Sequence, residues 1–230
     1  MSNITKALII EDNDEVVDAV YLAFKIRWPQ AVTISTDRGK EGIDLVSKEN
    51  PDFVILDLGL PDINGFEVLK QIRLFSDIPI IILTVRGEEA DIVKGLELGA
   101  DEYIIKPFRQ LELMARVKAV TRRCFIKEEE PSVSCGQLTF NPSERTIYYG
   151  TKTIKLTSTE SIILLDLMKK AGRVVTKASL AESLWGTNYP DASSALKVYI
   201  SRLRSKIEPD QSSPRFIVTS PGLGYIFSKE

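Results

Sequence analysis

Four apolar residues, Phe53, Val54, Ile55 and Leu56, run directly into an acid, Asp57, and apolar residues resume just beyond it. A run that short and that apolar reads as a strand buried on both faces, as in a parallel sheet covered by helices. A lone carboxylate inside such a strand is costly, so Asp57 belongs at its C-terminal end, where open α/β sheets place their ligand crevice. Other reactive residues follow apolar runs in the same way: Glu11 and Asp12 after "ALII", Thr84 after "IPIIIL" and Lys106 after "YII". In a parallel sheet those ends share one edge, so three carboxylates, a hydroxyl and an ammonium converge although they lie far apart in the chain. Clustered carboxylates repel unless a cation joins them, and an oxygen-rich, nitrogen-poor set suits Mg²⁺ or Mn²⁺. Taken singly, an acid at a strand end is more often a solvated loop residue or a helix cap. All five at once define a pocket.

The elements that must hold this pocket are legible as alternating short apolar runs and amphipathic stretches. The runs are "ALII", "AVTIS", "FVIL", "IPIIIL" and "YII"; between them Val16, Val17, Val20 and Phe24 share one helix face, as do Phe66, Leu69 and Ile72. This is the βαβαβ rhythm of a doubly wound parallel sheet with helices on both faces. Five strands and five helices fit within about 120 residues.

The whole chain of 230 residues has a net charge of −2, which conceals an asymmetry. Residues 1–123 carry 16 Lys and Arg against 21 Asp and Glu, net −5; residues 124–131 carry 1 against 3; residues 132–230 carry 13 against 8, net +5. An acidic front and a basic back predict two domains with different partners, the back one nucleic acid. "KEEEP" within 124–131 is the expected linker, because a charged run ending in proline favours neither burial nor a continued helix. Histidine is absent, which excludes His-based metal sites, Ser-His triads and phosphohistidine on this chain; a phosphoryl group must come from another molecule. Cys124 and Cys135 form no CxxC motif and are given no function. No stretch approaches the roughly 18 apolar residues of a membrane span and no signal segment is evident, so no membrane association and a cytoplasmic location are expected.

"IIEDND", "ILDLGLPDINGFE", "ILT" and "YIIKPF" resemble the receiver domain of bacterial response regulators, a CheY-like (flavodoxin-like) fold, across residues 4–123. The resemblance implies that Asp57 accepts a phosphoryl group, that Glu11, Asp12, Asp57 and the Gly59 carbonyl hold Mg²⁺, and that Thr84 and Lys106 contact the phosphoryl oxygens. It also implies a cis peptide at Lys106-Pro107 and a switch role for Tyr103. A carboxylate nucleophile needs no general base; neutralisation of charge and in-line positioning supply most of the catalysis. Gly59 presents no side chain where many relatives carry a larger one, and Val85 replaces a commoner alanine, so Gly59 is expected to admit attacking water while Val85 restricts access.

In the back half, short β-like runs over 132–157 lead to "TSTE", where Thr157 and Glu160 have capping-box spacing and Ile163, Leu164 and Leu167 share a face. A second helix, "KASLAESLW", ends at Gly186, and a third runs from about Ala192 to Ile207. On the third, Leu196, Ile200, Leu203 and Ile207 form a buried stripe. Opposite lie Ser194, Val198, Ser201, Arg202 and Ser205, flanked by Lys197, Tyr199, Arg204 and Lys206. Small residues around an arginine, bordered by cations, suit a major groove, although a solvated basic face looks much the same. "LTSTESIILLDLM", "SLAESLWG", "VYISRLRSKIE" and "IVTSPGLGYIF" resemble the winged helix-turn-helix effector of OmpR/PhoB-type regulators over 133–228. This implies that Val198 and Arg202 approach bases, that Arg204 and Lys206 approach phosphates, and that 215–227 is the wing, with Gly222 and Gly224 in its turn. The chain departs from the family pattern at Lys197, Tyr199, Pro221 and Ile226, which moves the expected weight of binding from the wing to the recognition helix and to dimerisation.

The family likeness further implies a sensor histidine kinase as phosphodonor, a homodimer on phosphorylation, a direct-repeat duplex operator and contact with RNA polymerase. Candidate dimer residues are Ile92, Asp101, Glu102, Glu112, Arg116 and Arg123. Two other functions are weighed against this one. A phosphorylation-independent regulator of the same fold would not need the intact pocket. A phosphatase-like enzyme would place a second aspartate two residues beyond its nucleophile, where this chain has Gly59.

Overall fold

The computed structural model describes residues 6–124, 130–186 and 192–229, with the side chains of 122–124, 192 and 193 also outside the described set. Most of the expected linker therefore lies outside the described residues. The chain divides into two compact units, Met1–Arg122 and Arg123–Glu230.

The first unit interleaves five strands, β1 (Lys6–Ile10), β2 (Val32–Thr36), β3 (Phe53–Leu56), β4 (Ile80–Thr84) and β5 (Glu102–Ile105), with five helices, α1 (Asp14–Arg27), α2 (Gly39–Glu49), α3 (Gly65–Arg73), α4 (Glu89–Glu97) and α5 (Gln110–Cys124). The sheet order is β2-β1-β3-β4-β5, and every pair is parallel. The order reverses direction after β1, so the crevice opens between the ends of β1 and β3, where Ile10 pairs with Leu56. β3 and β4 are buried along their whole length, as the unbroken apolar runs predict.

One core joins Ala7, Ile9, Phe53, Ile55, Ile81 and Leu83 of the sheet to Val20 and Phe24 of α1 and Leu113, Val117 and Val120 of α5. Phe24 stacks on Phe53 and tilts against Trp28, each at 5.2 Å between centroids. Burying each such side chain contributes about 1.5–3 kcal/mol. Asn13 caps α1 by accepting from the Val16 N–H, which turns the chain into the helix immediately after the two acids that follow β1. Gly65 opens α3, and a Cβ there would collide with the Asp57 carbonyl oxygen and Leu58 Cα. Its bare backbone lets α3 pack directly beneath the Asp57 loop.

The second unit opens with a four-stranded antiparallel sheet in the order β6 (Val133–Cys135), β7 (Leu138–Asn141), β8 (Thr146–Tyr149), β9 (Lys152–Lys155). Three helices follow, α6 (Ser158–Lys169), α7 (Lys177–Trp185) and α8 (Ala192–Ile207). β10 (Val174–Thr176), β11 (Ile217–Ser220) and β12 (Gly224–Phe227) form a second sheet in the order β10-β12-β11, whose β11–β12 hairpin is the wing. The capping box is present as read: Thr157 Oγ1 accepts from the Glu160 N–H, and the Glu160 carboxylate accepts from the Thr157 N–H. Gly222 adopts φ +74° in the wing turn, a left-handed conformation that favours glycine.

Candidate functional site

The strand ladders fix each pocket residue through its own backbone. Glu11 N–H donates to Thr36 O, Asp57 N–H to Ile10 O and Lys106 N–H to Thr84 O. Three side chains are buried, Glu11 2%, Asp57 6% and Thr84 0% exposed, while Asp12 faces outward. Lys106 Nζ reaches the Glu11 carboxylate at 2.8 and 2.6 Å and Asp57 Oδ2 at 3.2 Å. The other Asp57 oxygen accepts from the Leu58 N–H at 2.7 Å. Lys106-Pro107 is cis.

Glu11, Asp12 and Asp57 each offer a carboxylate oxygen within 4.8 Å of the others. Burial, reinforced by the Asp57 charge, pushes the Glu11 carboxyl above its ordinary range even though Lys106 pulls it down. A buried acid so placed is short of positive charge, and the donor set is all oxygen. Both features fit a hard divalent cation. A Cβ built on Gly59 would stand 3.5 Å from Asp57 Oδ2, so a side chain at this position would lie against the nucleophile and the bare glycine leaves that space open. Val85 is 75% exposed. Tyr103 lies under α4, 7% exposed, with its hydroxyl donating to Arg86 O at 2.8 Å; burial pushes its phenol well up from the ordinary value.

The six residues read as a dimer face separate. Ile92 is half-buried. Glu102 is turned inward, 3% exposed, where it pairs with Arg116 at 3.3 Å, and Arg116 also bridges Glu112 at 2.7 Å. Asp101 does not face outward: it is 1% exposed and accepts from Arg73 and from the Ile80 N–H, each at 3.1 Å. Arg73 also donates to Gly99, Ser76 and Ile78 carbonyls, so this ion pair ties α3 to the start of β4 and of β5. The Arg123 side chain lies outside the described residues.

Helix α8 departs furthest from its projection. The stripe of Leu196, Ile200, Leu203 and Ile207 is buried, but so are Val198 at 8%, Tyr199 at 1% and Arg202 at 9% exposure. The reason is packing on two sides, since α8 lies against both α6 and α7, and Tyr199 meets Trp185 of α7. Arg202 Nη2 and Lys206 Nζ both pair with the fully buried Glu160 of α6, at 2.8 and 2.7 Å. Arg204 bonds Ile217 O and Thr219 Oγ1 of β11, so it clamps the wing to the helix. Val198, Tyr199 and Arg202 therefore leave the outward face, and Lys206 and Arg204 have partners within the unit. Ser194, Lys197 and Ser201 remain exposed, and beside them Lys197, Ser201, Arg204, Lys177, Thr219 and Ser220 line a cleft of about 320 Å³ between α8 and the wing. Lys177 was invisible to a reading centred on one helix; its signal was the capping Thr176 just before it. Glu208 was missed too. Its carboxylate accepts from the N–H groups of Arg215, Phe216 and Ile217 and fixes the entry to β11.

An acid-lined crevice holding a buried aspartate and lysine, followed by a winged helix, defines a two-component response regulator with a DNA-binding output. Residues 7–118 match the family described as response regulator receiver domain, and residues 150–227 the family described as transcriptional regulatory protein, C terminal. The chain is 37% identical to the transcriptional regulatory protein AfsQ1 of Streptomyces coelicolor over 218 residues, covering 95% of this chain and 96% of that one. It is 39% identical over 225 residues to the sensory transduction protein RegX3 of Mycobacterium tuberculosis, covering 96% and 98%. Among solved structures, the response regulator DrrB, a Thermotoga maritima OmpR/PhoB homologue, aligns with a TM-score of 0.52 and 30% identity over 98% of this chain and 99% of that one. A RitR mutant aligns with a TM-score of 0.78 at 24% identity over 98% and 100%, a likeness of fold. The chain belongs to the OmpR/PhoB family of response regulators, which control transcription. Such a regulator works between a histidine kinase and DNA.

Proposed function

We propose that phosphoryl transfer to Asp57 from a sensor histidine kinase promotes homodimerisation and binding to direct-repeat duplex DNA. The observation that carries this reading is the Lys106 ammonium touching both Asp57 and Glu11, since an ammonium already beside the nucleophile neutralises charge on an arriving phosphoryl group without reorganisation. An Asp57 carboxylate oxygen attacks phosphorus, the P–N bond of the kinase phosphohistidine breaks and the imidazole leaves with that electron pair. Mg²⁺ or Mn²⁺, held by Glu11, Asp12, Asp57 and the Gly59 carbonyl, supplies further neutralisation of phosphoryl oxygens when bound. Thr84 and Lys106 engage the phosphoryl group, and Tyr103 follows Thr84 as the switch. Open space at Gly59 admits hydrolytic water, so the chain autodephosphorylates.

The dimer forms through Ile92, Glu112, Arg116 and Arg123, with Glu102 holding Arg116 from beneath, and Ser194, Lys197 and Ser201 face the major groove beside the cationic cleft. Two linked half-site contacts raise avidity without new base contacts. RNA polymerase is the downstream partner, in the cytoplasm, and the functional division is 1–123 receiver, 124–131 linker and 132–230 effector. Among the described residues no helix is long and apolar enough to cross a membrane.

The test is selection from random duplex DNA with and without acetyl phosphate and Mg²⁺, for wild type and Asp57→Ala. Enrichment of direct repeats that strengthens with phosphodonor only in wild type supports the reading. Equal enrichment under all conditions replaces it with phosphorylation-independent regulation.

A further inference from the structure

We infer that Gly95, on the inner face of α4, is the positioning residue of the phosphorylation switch: its missing side chain is the space in which the Tyr103 ring seats. A Cβ at position 95 would stand 3.0 Å from both Cδ2 and Cε2 of Tyr103 and 2.7 Å from Ile82 Cδ1. Contacts that short force a neighbour to move. α4 itself is held on both sides of the glycine. Lys94 Nζ sits 4.4 Å over the Phe66 ring of α3, Leu96 is 3% exposed, and the Gly95 carbonyl accepts from the Ala100 N–H. Helix α4 is thus anchored where it would have to step back, so the ring or Ile82 must yield.

The seated ring connects α4 to the phosphoryl pocket. The Tyr103 hydroxyl donates to Arg86 O, and the Arg86 N–H points back to Thr84 Oγ1 at 3.5 Å. An alanine at 95 pushes the ring outward, loosens the hydroxyl from Arg86 and detaches the α4 face from the Thr84 end, while the Asp57, Glu11 and Lys106 cluster is left alone. Gly95 therefore governs how a phosphoryl signal is relayed and leaves its acceptance unaltered. This rests on Tyr103 acting as the switch.

The experiment separates the seat from the switch. Ile82→Val removes the one methyl closest to the new Cβ, so Ile82→Val/Gly95→Ala isolates the ring contact and keeps the fold. With 3-fluorotyrosine incorporated at the seven tyrosines and the Tyr103 resonance assigned by Tyr103→Phe, fluorine NMR should show a single buried Tyr103 resonance in Ile82→Val and an added solvent-exposed Tyr103 resonance in the double variant. Sedimentation velocity with beryllofluoride and Mg²⁺ should then show dimerisation weakened at least about fivefold relative to Ile82→Val, the lower end of typical coupling between sites, with acetyl phosphate labelling of Asp57 unchanged. Adding Gly95→Ala to Ile82→Val/Tyr103→Ala should change nothing further. A single buried Tyr103 resonance in the double variant overturns the inference, as does a further loss in the Ile82→Val/Tyr103→Ala background, which would mean general damage to α4. Unaltered dimerisation of Tyr103→Ala overturns the switch reading, and the relay with it, while the fluorine spectra still report the seat.

Discussion

Replacing Glu160 with glutamine keeps the size of the side chain and its capping oxygen but removes the charge shared by Arg202 and Lys206. The carboxylate is fully buried, with cations at 2.8 and 2.7 Å. At an effective dielectric of about 20, each attraction is worth about 6 kcal/mol, and desolvation offsets several kcal/mol per ion. Removing one partner of such a cluster costs about 3–5 kcal/mol, because a buried charge is left uncompensated. A domain of this size has about 5–15 kcal/mol in all, so the winged-helix unit approaches its margin and its melting midpoint falls by roughly 20 °C. Burial raises the Glu160 carboxyl most of any single influence, but Arg202, Lys206 and the Thr157 N–H together hold it below its ordinary value of 4.5. A depressed folded value means stability present above pH 4.5 and lost as pH falls through the folded value. Wild type should therefore lose stability in acid with a component that Glu160→Gln lacks. Calorimetry of the full chain reads both, with Trp185 fluorescence in a Trp28→Phe background reporting the second unit. A variant within about 1 kcal/mol of wild type at neutral pH, or one with the same acid limb, would refute the assignment.

Three further outcomes are expected. Lys197→Ala should reduce the salt slope of DNA binding by about 0.9, the value for one phosphate contact, measured by titration between low and moderate salt; an unchanged slope removes Lys197 from the interface. Asp101→Asn should lower the receiver transition by about 3–5 kcal/mol by stranding Arg73, and a normal melting curve with weakened dimerisation would restore Asp101 to the partner-facing surface. Gly59→Met should slow loss of radiolabelled phosphoryl and Val85→Ala should speed it; equal lifetimes in both variants would show that access at these two positions does not set turnover.

The receiver was legible because its chemistry and its periodicity coincide. Apolar runs end at Glu11, Asp57, Thr84 and Lys106, and the parallel ladders carry those ends to one edge. The capping box at Thr157 and the stripe from Leu196 to Ile207 were equally plain, being local or strictly periodic. What the sequence hid were long-range pairs between polar residues. A helical projection puts Arg202 on the outward face because it lies opposite the stripe from Leu196 to Ile207, and only the packed structure brings Glu160, 42 positions earlier in sequence, beneath it. The same holds for Asp101, just before β5, whose partner Arg73 lies on α3, and for Arg204, whose side chain turns along β11. Tyr199 and Val198 were misplaced for a simpler reason. A helix wedged between two others buries more than one stripe, and a single chain segment does not say how many neighbours it will have.

The Arg204 clamp and the Glu208 carboxylate make α8 and the wing one stiff caliper whose jaw spacing is set within the unit itself. A caliper that does not flex transfers misfit to the object being measured. Duplexes whose grooves already match, or whose steps bend cheaply, would be preferred over stiffer ones of identical contacted bases, because the cost of deforming them differs. Operator choice would then depend partly on base pairs that no side chain touches.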